Sequence, residues 1–92
     1  MKYVLLGTLG PAWATRHSER VDQAKAKLDE LGIKLEAVYY TQGEVDFVDV
    51  VDAPTPEAML AFSVWYVQQG YGRFRSLPAF DDAAMRSALR KA

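Results

Sequence analysis

Tyr3-Val4-Leu5-Leu6 opens the chain as an apolar, β-prone run that closes at Gly7 and the Gly10-Pro11 turn signal, which predicts a first strand over 2–9. After a loop over 11–17, Ser18 stands as an N-cap with Glu19 in the first turn. Val21, Ala24, Leu28 and Leu31 then recur at helical spacing as far as Gly32, a good residue to end the helix. Ile33, Leu35, Ala37, Tyr39 and Thr41 alternate with Lys34, Glu36, Val38, Tyr40 and Gln42, so strict period-2 reading puts the first set on one face of a second strand. Val45 to Asp52 reads as a third strand joined to it as a hairpin. Thr55-Pro56-Glu57 is a strong start for a second helix running to about Gln69. A fourth strand is expected over 71–79, and Asp81 caps a last helix to about Lys91. The order βαββαβ plus one helix is the ferredoxin-like, α+β pattern: a four-stranded antiparallel sheet with helices on one face, in a single domain over 1–92.

Two features go beyond that outline. Strands one and three carry apolar residues at both parities, Tyr3, Leu5 and Leu9 against Val4 and Leu6, then Val45, Phe47 and Val51 against Val48 and Val50. Both sheet faces are therefore expected to be buried. From Ala58 to Val67 only Ser63 is polar, so the second helix needs cover on two sides, from its own sheet and from the last helix, a partner subunit or a ligand.

Composition narrows the function classes. The 92 residues are 50% hydrophobic and 25% charged, and 11 Lys plus Arg stand against 12 Asp plus Glu. That balance argues against disorder and against a nucleic-acid surface, which needs clustered basic residues. Cysteine is absent, removing disulfides, thiolate metal sites and cysteine nucleophiles. No stretch is long enough for a membrane span, and the first residues lack a targeting pattern, so a cytoplasmic protein with neither membrane nor nucleic-acid partner is expected. No phosphate loop, Ser-His-Asp order or metal-ligand cluster is present, which leaves cofactor-free chemistry.

The candidate residues are few. His17 is the only histidine and stands beside Trp13 and Arg16; it is a candidate general base or, as a third option, a haem ligand. Asp46 interrupts a valine-rich run, where a carboxylate must be paired or protonated, and Arg73 is its candidate partner. Arg73 and Arg75 share a strand face as a small anion clamp. Tyr39, Tyr40, Phe47, Trp65, Tyr66, Tyr71 and Phe74, with Trp13, make an aromatic-rich set from which Tyr39, Phe47, Trp65 and Trp13 are the candidates to line a pocket, although aromatic side chains at these spacings are more often core than pocket.

The stretch Tyr39-Tyr40-Thr41-Gln42-Gly43-Glu44-Val45-Asp46-Phe47-Val48, followed by Ala53-Pro54, resembles the signature of GYD-domain proteins, with Val45 where the family has tyrosine. Ser18-Glu19-Arg20-Val21, Gly70 with Arg73, and Ala79-Phe80 extend the likeness over nearly the whole chain. The resemblance implies a dimeric α+β barrel: two ferredoxin-like subunits meeting through their open sheet faces, with small-molecule pockets between sheet and helices. Two functions follow as expectations: a homo-oligomeric protein binding a small apolar or aromatic ligand without a cofactor, or a cofactor-independent oxygenase or isomerase acting on a cyclic or aromatic metabolite. In the second, His17, Asp46 or a tyrosine would move the proton and Arg73 would hold an oxyanion.

Overall fold

The computed structural model describes all residues, 1–92. Four strands, β1 (Lys2–Leu9), β2 (Lys34–Tyr40), β3 (Phe47–Asp52) and β4 (Gly72–Pro78), form one sheet in the order β2-β3-β1-β4, every neighbour antiparallel. Helices α1 (His17–Glu30) and α2 (Pro56–Gln68) pack on one face, and α3 (Asp82–Lys91) follows β4. This is the expected ferredoxin-like α+β fold.

Local chemistry accounts for the element ends. The Thr55 hydroxyl accepts a hydrogen bond from the Ala58 amide at 3.1 Å, with Pro56 in the first turn, and the Asp81 carboxylate accepts from Ala84 at 2.8 Å. Gly32 (φ 71°) and Gly70 (φ 75°) follow α1 and α2 in the left-handed region, where glycine carries no Cβ penalty. The start of α1 differs from expectation. The helix begins at His17, is entered from a 3-10 turn at Trp13–Arg16, and has no side-chain cap, so Ser18 is not its N-cap and His17 belongs to the helix rather than the loop. Such a turn feeds backbone directly into the helix, while Arg16 and Glu19 pair across its first turn at 3.2 Å.

Register settles which strand faces meet the helices. Leu5 lies opposite Asp49 and Ser76, and Tyr3 opposite Val51 and Pro78. Tyr3, Leu5, Phe47 and Val51 are buried beneath the helices with Leu28, Met59, Phe62, Tyr66 and Tyr71. Phe47, Phe62, Trp65, Tyr66, Tyr71 and Phe74 form a continuous aromatic cluster in which adjoining ring centroids lie 5.5–6.5 Å apart. Val4, Leu6, Val48 and Val50 point the other way, so the sheet's second face is apolar at its centre and uncovered within one chain.

β2 departs from strict alternation. Leu35 pairs with Val51 but Ala37 pairs with Val50, so a bulge at Glu36 shifts the register by one residue. Beyond it Val38 and Tyr40, opposite Asp49 and Phe47, turn toward the helices. Ala37 and Tyr39 face the open side, which corrects the expectation that Tyr39 shares the face of Leu35. β3 also starts later than expected, at Phe47 rather than Val45. The Asp46 backbone still bonds to both neighbours, its amide donating to the Gly7 carbonyl at 2.7 Å and its carbonyl accepting from the Thr41 amide at 2.9 Å, and its carboxylate accepts from the Leu9 amide at 2.8 Å.

Candidate functional site

Between α1, α2 and the sheet lies a cavity of about 60 Å³. α1 supplies Arg20, Val21, Ala24, Lys25 and Leu28; β2 supplies Leu35, Val38 and Tyr40; β3 contributes Phe47 and Asp49, and α2 Phe62 and Tyr66. A water molecule occupies roughly 30 Å³ in the liquid, so the space accommodates a small head group, with the rest of a ligand leaving between the half-exposed side chains of Val38 and Tyr40. Larger depressions, about 640 Å³ at the C-terminal end of α1 and about 430 Å³ along α3, are open surface troughs with no buried polar group converging on them.

The walls are mostly apolar, and of the three charged residues among them Lys25 is exposed whereas Arg20 and Asp49 are turned inward. Arg20 sits one helical repeat before Ala24 and two before Leu28, on the stripe that α1 buries, and is only 3% exposed. Its guanidinium donates from Nη2 to His17 Nδ1 at 3.0 Å and from Nη1 to the Trp13 carbonyl at 3.5 Å, and it lies 5.9 Å from the centroid of the Trp13 ring. A guanidinium has five N–H donors, so these contacts leave donors free toward the cavity. No carboxylate ion-pairs with it.

Asp49 faces the same cavity from β3, and its Oδ1 is sealed from solvent without a hydrogen-bond partner. Burial pushes its carboxyl up from 3.8 to about 6, against the opposing pull of the Arg20 charge. Burial likewise raises the Tyr66 hydroxyl to about 12, so Tyr66 stays protonated as a hydrogen-bonding group. An unpaired buried carboxylate costs stability, and carboxylates perturbed in this way cluster at functional sites. The arrangement offers an anionic or proton-accepting oxygen on one wall, a cation with free donors on another, and aromatic surface between them.

The residues singled out in the sequence are distributed around this cavity rather than gathered in it. Phe47 lines it. His17 stands at its rim, holding Arg20 and meeting the Tyr40 ring edge-on at a centroid distance of 5.3 Å. Trp13 is exposed behind Arg20, and Trp65 packs into the aromatic cluster against Phe62 and Tyr71. Asp46 is engaged by the Leu9 amide and makes no ion pair with Arg73. Tyr39 and Arg73, with Arg75, stand on the opposite face of the sheet. Tyr40 and Tyr66, from the aromatic set, also line the cavity, whereas Arg20 and Asp49 are not candidates from the sequence. The signal for both was present in the spacing: Asp49 shares parity with Phe47 and Val51, and Arg20 shares the helical stripe of Ala24 and Leu28.

Comparison with known proteins gives one match. The family model described as GYD domain covers residues 3–89. Neither a curated protein sequence nor a solved structure matches the chain.

Proposed function

This chain belongs to the GYD domain family, and from that premise we propose that it is a homo-oligomeric protein that binds a small molecule in the cavity between α1, α2 and the sheet. The observation that carries the reading is the unpartnered Asp49 carboxylate facing a cavity that it shares with buried Arg20. The complementary ligand places an oxygen acid or an enolisable carbonyl in the cavity against Phe47, Phe62 and Tyr66, and its planar, mainly apolar body leaves between Val38 and Tyr40. The carbonyl or oxyanion would take Arg20 donors and the acidic hydrogen would meet Asp49. The apolar centre of the open sheet face supports association of two copies, since an uncovered patch of this kind marks an interface. No helix is long and apolar enough to cross a membrane, and the reading includes the cytoplasmic location expected from the sequence.

The state of Asp49 favours one second reading, a cofactor-independent isomerase or oxygenase. A carboxylate whose pKa is near 6 in an apolar wall is suited to accept a proton from carbon beside a carbonyl, while Arg20 holds the resulting oxyanion. Returning that proton to a different carbon completes an isomerisation; oxygenation would use dioxygen as co-reactant.

Native mass spectrometry of the purified protein, followed by denaturation and analysis of what is released, tests the binding reading. An oligomer releasing a discrete planar acid or carbonyl compound, and an Asp49→Asn, Arg20→Met double variant releasing none, is the expected result. A monomer that carries nothing would refute it. Turnover of the released compound by wild type, lost in Asp49→Asn, would select the enzymatic reading.

A further inference from the structure

α2 and α3 each present an apolar stripe to solvent. On α2, Leu60, Val64 and Val67 recur at i, i+4 and i+7 on the side away from buried Met59, Phe62 and Tyr66, and they are 65%, 48% and 47% exposed. On α3, Ala84, Met85, Ala88 and Leu89 share one face. Phe80 lies before the helix, and no residue of α3 is buried. α3 makes no substantial contact with any other element, and the trough of about 430 Å³ runs along its apolar side.

The two stripes of one chain do not reach each other. Only Ala79, Phe80 and Asp81 connect β4 to α3, and the Ala79 amide is tied to the Lys2 carbonyl at 2.9 Å. Three residues span at most about 11 Å. A helix packed outside α2 would lie roughly 20 Å from the sheet, one helix layer of about 10 Å upon another. Neither stripe is covered within the chain, which carries both halves of a self-complementary contact.

We infer that α3 of one copy docks along the outer face of α2 of a second copy, and reciprocally, in an interface separate from the open sheet face. Antiparallel docking brings Arg90 and Lys91, in the last turn of α3, toward Glu57 in the first turn of α2, and none of the three has an ion-pair partner within its own chain. Two two-fold interfaces of different kinds close into a tetramer when their axes meet at right angles. The inference goes beyond the proposed function and does not depend on the ligand cavity.

The absence of cysteine makes the test direct. Chains carrying Leu60→Cys or Val64→Cys are mixed with chains carrying Met85→Cys or Leu89→Cys, all exposed positions, oxidised at low concentration and run on a non-reducing gel. A disulfide joining the two different chains in at least one of the four mixtures, with light scattering giving a mass that halves from tetramer to dimer in Leu60→Glu, supports the inference. No mixed disulfide in any mixture of chains with wild-type circular dichroism overturns it. So does a fast-running internal disulfide in the double variant Val64→Cys, Leu89→Cys, which would show α3 folding onto its own α2. A dimeric wild type without these cross-links overturns the α3 contact while leaving sheet-face pairing standing.

Discussion

The Phe47 ring lies directly over Gly7, the residue facing it across the β1–β3 ladder, and occupies the space in which a side chain on Gly7 would begin. The same ring is a wall of the cavity beneath α1. Gly7→Ala therefore forces the ring to turn, and its easiest path is into that cavity. Overpacking of this kind destabilises by about 1 to 3 kcal/mol. Urea denaturation should show that loss, together with loss of whatever ligand wild type retains.

Asp49→Asn should stabilise the protein at neutral pH and leave it nearly unchanged in acid. The folded carboxyl sits at about 6 against an ordinary 3.8, so between those values the folded state holds a proton that the unfolded state has released. Its contribution is fully present below about 3.8 and is lost as pH rises through about 6. At 1.36 kcal/mol per unit, the ceiling is about 3 kcal/mol. Denaturation midpoints at pH 4 and pH 7.5 should give a mutant advantage that grows with pH.

Arg20→Met, close in volume, removes the charge that holds the Asp49 carboxyl down. The Asp49 titration followed by carbon NMR should move upward from about 6, by roughly one unit for loss of a neighbouring opposite charge. An unmoved midpoint would mean that Arg20 does not act on the cavity.

Val50→Lys puts a charge at the centre of the open sheet face without touching the side that meets the helices. Under the proposed sheet-face pairing it should halve the native mass while circular dichroism stays that of wild type. A mass equal to wild type would place the interface elsewhere.

Much of this fold was legible because its signals are local. Thr55-Pro56, Asp81, Gly32 and Gly70 mark helix ends through single side chains, and the parity of β1 and β3 separates two apolar sets that tertiary register then assigns to faces. The bulge at Glu36 left no such mark, because no glycine or proline announces it, and it exchanged the sides of Tyr39 and Tyr40. The site was harder still. Asp46 and Arg73 drew attention as chemical types in apolar strands, yet one is satisfied by the Leu9 amide and the other faces away from the cavity. Arg20 and Asp49 come from distant segments and meet across a space that only packing defines. Period-2 and 3.6-residue spacing placed each among buried neighbours, but not opposite one another.

The central claim is that the cavity bearing Asp49 and Arg20 takes a small planar oxygen acid or carbonyl compound. Methyl NMR during titration with a panel of small aromatic and cyclic acids and enolisable ketones tests it most directly. The account predicts that at least one compound shifts the methyls of Val21, Ala24, Leu28, Leu35 and Val38 saturably, and that the shifts vanish in Asp49→Asn, Arg20→Met. A panel that leaves these methyls unmoved, or that shifts only those of Val4, Leu6 and Val48 on the open face, would contradict it.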